Sequence, residues 1–161
     1  RVHDDLAELL RLTPQERQRL DDAFRSARAM AEAAELSVMQ PSMPSSRELV
    51  IEIPPHADQG REIRAHLMAA IESALGSNRA PWAAAAAERD LDRRFHGFGA
   101  DHRTIRMELV YRPDSDEPWI RIMDERASIV GEGRVRRESL EVTAESLPAE
   151  YAPYVGRLPT D

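Results

Sequence analysis

The chain has 161 residues, of which 42% are hydrophobic, and a formal net charge of -7 at pH 7. This length suffices for one domain of ordinary size, or for a smaller domain with an extra helix. All 22 basic residues are arginine and cysteine is absent. These residues therefore offer no lysine Schiff base, phosphate-loop lysine, thiol nucleophile or cysteine-ligated zinc. The acidic balance opposes binding to nucleic acid, and the arginine and alanine bias indicates a bacterium with a GC-rich genome.

A long helix is predicted to begin in "LTPQERQRL". Thr13 can serve as N-cap, Pro14 suits the first helical position, and Glu16 stands three residues after the cap, which together make a capping box. A narrow apolar stripe of mostly small side chains then follows at helical spacing. Its members are Leu20, Phe24, Ala27, Ala31, Ala34 and Val38. Because such a stripe gains little by itself, we expect Leu20, Phe24, Ala27, Ala31 and Val38 to contact a protein partner or a second copy.

The segment "QPSMPSSRE", residues 40 to 48, reads as a linker because it holds two prolines and three serines. A strand is predicted next, with Leu49, Ile51 and Ile53 on one face. A helix with a stripe of large apolar residues follows, capped by Asp58 and stopped by Gly76. A second, alanine-rich helix is predicted to start near Ser77 and to end at Gly97. Trp82 and Trp119 are expected to be packed residues.

The remainder changes to a period of two residues, which predicts a three-strand meander. In its first strand Ile105, Met107, Leu109 and Tyr111 should face one way, and a short second loop would place Arg126 opposite Glu138. The predicted class is α+β: a long N-terminal helix plus an antiparallel sheet of about four strands packed by two helices. The predicted organisation is a helical segment (1-39), a linker (40-47) and an α+β body (48-161).

Two histidines and an aspartate crowd the turn "FHGFGADH". A structural interpretation accounts for them, since Gly97 can end the helix in the left-handed region, Phe98 can pack back on it, and the next strand starts at Asp101 or His102. The alternative is a metal-dependent enzyme that uses His96, Asp101 and His102 as ligands, although their spacing matches no established ligand pattern. Otherwise the sequence predicts no catalytic residue, metal site or cofactor.

Two resemblances bear on function. "LTPQERQRL" resembles the Leu-Thr-x-x-Gln repeat of Spy-type periplasmic stress proteins, with Glu16 at the glutamine position; this implies a small helical chaperone or stress sensor. "ELVIEIPPHADQGREIRAHLMAAIESALGSNRA" followed by "FHGFGADHRTIRMELV" is similar to uncharacterised envelope proteins of bacteria with GC-rich genomes. That likeness implies a membrane tether upstream of Arg1. No apolar run approaches the roughly 20 residues needed to cross a bilayer, so we expect no membrane contact by the 161 residues themselves.

The function expected from these observations is a non-enzymatic bacterial protein-interaction, sensory or structural module, extracytoplasmic rather than cytoplasmic. A periplasmic stress chaperone or sensor and the metal-dependent enzyme remain the alternatives.

Overall fold

The computed structural model describes residues 4-85, 91, 95-113, 115, 117-127 and 135-155. The helices are α1 (Asp4–Leu9), α2 (Pro14–Val38), α3 (Ala57–Leu75), α4 (residues 80-85) and α5 (Ala152–Val155). The strands are β1 (Gln40–Ser45), β2 (Glu48–Ile53), β3 (His102–Val110), β4 (Trp119–Ala127) and β5 (Val135–Val142). They form one antiparallel sheet in the order β1-β2-β3-β4-β5. The predicted α+β class is confirmed, with five strands where about four were expected.

The described residues group into two compact units. The first contains the described residues among 1-37 and 56-100, and the second those among 38-55 and 101-161. Contacts thus place α3 with α2, although the sequence-based division assigned α3 to a C-terminal body. The predicted division into a helical segment (1-39), a linker (40-47) and an α+β body (48-161) stays a prediction.

The first unit is built on the apolar stripes of α2 and α3. The predicted stripe of α3 is buried, and the α2 stripe joins the same hydrophobic cluster. The buried members are Leu20, Ala23, Ala27 and Ala34 on α2, and Ile63, Leu67, Ile71, Ala74 and Leu75 on α3. Alanines occupy most of the buried α2 positions, so the large side chains of α3 supply more of the buried apolar area than α2 does.

The start of α2 confirms the predicted capping box. The Thr13 backbone N–H donates to Glu16 Oε2 at 2.9 Å, and the Glu16 N–H donates to Thr13 Oγ1 at 3.2 Å. Glu16 also accepts hydrogen bonds from the guanidinium of Arg79, which lies just after α3. These bonds, first that of Arg79 and then that of the Thr13 backbone, lower the pKa of Glu16 to about 2. Glu16 therefore takes part in the capping box of α2 and also binds Arg79 in the connection between α3 and α4.

The boundaries of α3 match the prediction at one end only. Gly76 ends the helix with φ 75°, in the left-handed region where glycine is favoured. The N-terminal prediction was wrong, because α3 begins at Ala57 with His56 as N-cap, and Asp58 lies inside the first turn, paired with Arg61. An acidic residue in the first turn still favours the helix through the backbone dipole.

The second unit is the sheet with the C-terminal tail. One face carries the buried apolar residues, which confirms the alternation predicted for β2, β3 and β4. The buried apolar members of this face are Leu49, Ile51, Ile53, Ile105, Met107, Ile120 and Ile122. Tyr111 departs from the prediction, because β3 ends at Val110 and the Tyr111 side chain is 51% exposed.

The segment expected to be a linker contains a strand. β1 pairs antiparallel with β2 through Gln40, Pro41 and Ser42, and the pairing becomes irregular before Ser45. All six residues of β1 are exposed. Proline is tolerated on an edge strand, where one side of the backbone needs no partner, so the composition that signals a loop is also compatible with a sheet edge.

The register between β4 and β5 corrects one further expectation. Arg126 lies opposite Arg136, and Glu138 lies opposite Asp124, so the predicted pair of Arg126 with Glu138 was wrong by two residues. The loop that sets this register lies outside the described residues. The sheet also departs from the all-helical fold implied by the likeness to Spy-type proteins.

Candidate functional site

The histidine-bearing turn divides between the two units. His102 opens β3, and its Nε2 lies 3.0 Å from Glu52 Oε2 on β2, so its near partner is a carboxylate across the sheet. Asp101 is half-buried, and the side chain of His96 lies outside the described residues. Within the described part of the chain, no three histidine or carboxylate side chains group closely enough to hold a metal ion. A metal role for His96, Asp101 and His102 stays a prediction.

The same turn packs tightly inside the first unit. The rings of Phe95 and Phe98 stack with centroids 4.9 Å apart, and Gly97 takes φ 67°, as the structural interpretation predicted. A Cβ added at Gly60 of α3 would lie 1.4 Å from the Phe98 carbonyl oxygen, and one at Gly99 would lie 2.6 Å from the His56 ring. Glycine is therefore needed at both contacts, and the positive φ of 50° at Phe98 accompanies this close packing.

The α2 stripe predicted to bind a partner is covered within the first unit. Leu20 is 3% exposed and Ala27 is 0% exposed, while Phe24 and Ala31 are partly buried against the same cluster. Val38, at the end of the helix, is half-buried. A partner could reach most of this stripe only if α2 left its own core, so association through these residues stays a prediction and now requires an opening step.

The outer face of the sheet, opposite the buried apolar residues, carries a network of ion pairs. Arg121 on β4 lies between two carboxylates, with Nη1 3.2 Å from Glu108 on β3 and Nε 2.8 Å from Glu141 on β5. Arg137 on β5 pairs with Glu125 on β4. The guanidiniums of Arg112 and then Arg121, which both donate to Glu141, hold the pKa of this carboxyl below its ordinary value. Charges of opposite sign thus face each other across neighbouring strands, the arrangement that favours a defined register.

A buried charged cluster lies on the other face, and sequence reasoning missed it. Arg103 on β3 donates from Nε and Nη2 to Asp124 on β4 at 3.0 and 2.7 Å, and the Tyr151 hydroxyl donates to the same carboxylate at 3.1 Å. Arg103, Asp124 and Tyr151 are 6%, 7% and 1% exposed. Burial raises the pKa of Asp124, but the hydrogen bonds and charge of Arg103 outweigh it, so the net pKa is lowered. Burial first, and then the Asp124 charge, raise the pKa of Tyr151.

The cluster continues as a row of three arginines across the sheet. Arg103 lies opposite Arg126, and Arg126 lies opposite Arg136. Directly opposed like charges are unfavourable, and the carboxylates of the next row offset them. Arg126 Nη2 lies 3.8 Å from Asp124, and Arg136 pairs with Glu138. The alternation of Arg103 with Ile105, and of Asp124 with Ile122, was the available signal that these charges face inward.

Two arginine–aromatic pairs lie where β3 ends and β4 begins. The Arg112 guanidinium lies 4.0 Å from the centroid of the Trp119 ring, and that of Arg47 lies 5.0 Å from the centroid of the Tyr111 ring. Arg112 also pairs with Glu141 of β5. Arginine, tyrosine and tryptophan are the residue types enriched at the energetic centres of protein interfaces. Trp82 was expected to be packed as well, but its side chain is 73% exposed.

The edge strand β5 is exposed along more than half of its length. It stands last in the strand order, and among the described residues no further strand pairs with it. Its first five residues, Val135 to Ser139, are exposed, and it contains no proline. β1, at the opposite edge, holds Pro41 and Pro44 and an irregular pairing. Prolines and bulges protect an edge against further pairing, so the two edges differ in how readily they accept another strand.

Comparison of the chain with protein-family models, with curated proteins and with solved structures finds no match in any of the three. Among the helices of the described residues, none has the length and apolar character needed to cross a bilayer.

Proposed function

We propose that this chain is a non-enzymatic protein-interaction module, and that its contact surface is the outer edge of β5, the side of the strand that faces away from β4. The observation that carries the proposal is the difference between the two sheet edges. β1 holds two prolines, whereas β5 presents eight residues without one. An exposed strand edge offers a row of backbone donors and acceptors that can bind an extended segment of another chain.

The side chains of β5 select which segment can bind. Arg136, Arg137 and Glu138 alternate across the two faces of the strand, so an added strand meets charges of both signs. These charges disfavour indiscriminate pairing with apolar strands and favour a segment whose charges complement them. Arg112 pairs with Glu141 near one end of β5 and stacks on the Trp119 ring. Together with the exposed Tyr111, these are side chains of the types common at interface centres.

The proposal can be tested with a displayed library of random ten-residue peptides. Two proline variants, Glu138→Pro and Ser139→Pro, locate the contact. Backbone N–H groups of neighbouring strand residues point to opposite sides, so one of the two variants removes an N–H that faces β4 and unfolds the edge, while the other removes an N–H of the outer edge. The variant that keeps the circular dichroism of the wild type is the informative one.

Peptides selected on the wild-type protein should lose binding to that informative variant and keep binding to Met43→Leu, a conservative change on the exposed β1 edge. Peptides that bind the proline variant as well as they bind the wild type would place the contact elsewhere. A selection that yields no binding peptide would also argue against the proposal.

We further infer an extracytoplasmic location for this interaction. The inference rests on the likeness of the strand, helix and Phe-Gly turn to bacterial envelope proteins. A reporter enzyme that folds only after export, fused downstream of the chain with its natural upstream sequence, should be active. An inactive reporter alongside an abundant fusion in the cytoplasm would contradict it.

A further inference from the structure

We propose that the partner of β5 is a second copy of this chain, bound through antiparallel pairing of the two β5 strands about a two-fold axis at Ser139. This inference rests on the proposed function and names its partner. Pairing in this way would join two five-stranded sheets into one continuous sheet. A two-fold axis normal to the sheet keeps the outer face of both copies on the same side.

The side-chain alternation restricts the possible registers. Residues that lie directly opposite each other in an antiparallel pair point to the same face. In a two-fold pair, one residue must therefore lie opposite its own copy at the centre, and the candidates are the successive residues of β5. Centring on Arg137 opposes two arginines, and centring on Glu138 opposes two glutamates. Like charges in direct opposition disfavour both arrangements.

Centring on Ser139 removes this conflict and adds an attraction. Arg137 then lies opposite Glu141 of the second copy, and the same contact occurs twice because of the symmetry. The overlap runs from residue 136 to residue 142, nearly the whole strand. Centring on Leu140 shortens the overlap to residues 138 to 142 and leaves no arginine opposite a glutamate.

The Ser139 register also continues the ion pairs of the outer face from one copy to the other. Within one chain, Glu108, Arg121 and Glu141 lie directly opposite one another on β3, β4 and β5. In the second copy, Arg137 lies opposite Glu125. Joining Glu141 to Arg137 of the second copy completes a row of five charges that alternate in sign across five strands. This complementarity is the reason to prefer a second copy over an unrelated strand.

The absence of cysteine makes the register directly measurable. In the variant Ser139→Cys, the two introduced thiols lie opposite each other, with Cα atoms about 4.5 to 5.5 Å apart, inside the range that a disulfide spans. In Glu138→Cys the two thiols are offset by two residues along the strand and lie too far apart. We expect Ser139→Cys to form a covalent dimer under mild oxidation at least ~10-fold faster than Glu138→Cys. Equal rates for the two variants would overturn the proposed register.

A reversible measurement follows the same interface without oxidation. Light scattering and sedimentation equilibrium up to about 1 mM protein should show a monomer–dimer equilibrium, which is weak because one strand pair is a small interface. Ser139→Lys places two charges of the same sign at the axis and should raise the dissociation constant at least ~10-fold. Ser42→Lys, the same change on the β1 edge, should leave it unchanged.

A charge exchange separates pairing from folding. In Glu125→Arg with Arg137→Glu, the ion pair between β4 and β5 is kept with its sign reversed, but residue 137 now repels Glu141 of the second copy. We expect a folded monomer. A dimer as strong as the wild type would overturn the inference, as would a wild-type chain that stays monomeric at 1 mM.

If the wild type is monomeric and the selected peptides still depend on the β5 edge, the partner is another protein and only this inference fails. If those peptides are independent of the edge, the proposed function fails too.

Discussion

Replacement of Asp124 by alanine should be among the most destabilising substitutions in the sheet unit. The change leaves the Arg103 guanidinium, 6% exposed, without the carboxylate that accepts hydrogen bonds from its Nε and Nη2. Removing one partner of a buried ion pair typically lowers the free energy of unfolding by about 3 to 5 kcal/mol. With a urea dependence of about 2 kcal/mol per molar, the unfolding midpoint should fall by roughly 1.5 to 2.5 M. Tyr151→Phe removes only one hydrogen bond to the carboxylate and should lower the free energy by about 1.5 to 3 kcal/mol.

The matched variant replaces the whole polar cluster. Arg103→Met, Asp124→Leu and Tyr151→Phe together leave no buried charge among the three positions, and exchanges of this kind are often neutral or stabilising by about 1 to 4 kcal/mol. We therefore expect this triple variant to be more stable than Asp124→Ala, although it removes more native contacts. Arg126, whose side chain is 13% exposed and whose Nη2 lies 3.8 Å from Asp124, loses this carboxylate in both variants, so the comparison between them isolates Arg103.

Tryptophan fluorescence can follow this unit alone. The chain has two tryptophans, and the Trp82 side chain is 73% exposed, so Trp82→Phe should leave stability nearly unchanged and make Trp119 the only reporter. Urea unfolding of the Asp124→Ala and triple variants is then measured in that background. A midpoint for Asp124→Ala within about 0.3 M of the parent, a loss below 1 kcal/mol at that urea dependence, would refute a buried, strongly coupled pair.

The remaining predictions concern pH and the first unit. The pKa of Asp124 is lowered in the folded state, so the stability that its charge contributes is present above the unfolded pKa and is lost as pH falls through the lower folded value. On acidification below about pH 4, the wild type should therefore lose more stability than the triple variant. Glu16 follows the same sign, with a folded pKa of about 2, so Glu16→Gln should flatten the loss of helicity between about pH 4.5 and pH 2 in an acid titration by circular dichroism. Leu20→Ala should lower the free energy of unfolding by about 2 to 5 kcal/mol. Leu9→Ala, at a position 73% exposed, should stay within about 0.5 kcal/mol of the wild type. Equal effects of the two variants in thermal unfolding would contradict the burial of the Leu20 side chain on α2. Gly60→Ala introduces a clash with the Phe98 carbonyl and should destabilise more than Gly76→Ala, which meets no atom within 4 Å and is opposed by the left-handed backbone alone, at about 1 to 2 kcal/mol.

Local signals in the sequence predicted the helices and the meander well. The capping box at Thr13, the stop at Gly76 and the alternation around Ile105 each depend on a few neighbouring residues, and the structure confirms them. β1 was missed because prolines and serines in a short stretch suit both a loop and a sheet edge, and pairing with β2 decides between them. That pairing is a tertiary effect that no local pattern contains.

The charged features were harder to predict for a related reason. Arg103 alternates with apolar residues of β3, and Asp124 does so on β4, but their contact depends on the register between two strands separated by a loop. The predicted pair of Arg126 with Glu138 failed because the loop length between β4 and β5 was assumed. The alternation within one strand predicts the face on which each charged side chain lies. Its partner on the neighbouring strand depends on the register between the two strands.

The two possible routes to association make different demands on the molecule. Association through α2 would expose Leu20 and Ala27, which are buried in the first unit, so it must be coupled to opening of that core. Association through β5 uses backbone groups at the end of the sheet and requires no opening. Hydrogen exchange therefore distinguishes them as protein concentration rises: pairing through β5 should slow exchange of amides in residues 135-142 and leave residues 14-38 unchanged. Slower or faster exchange confined to α2 would instead support association through α2, because only association through this helix changes the protection of the core in which it is buried.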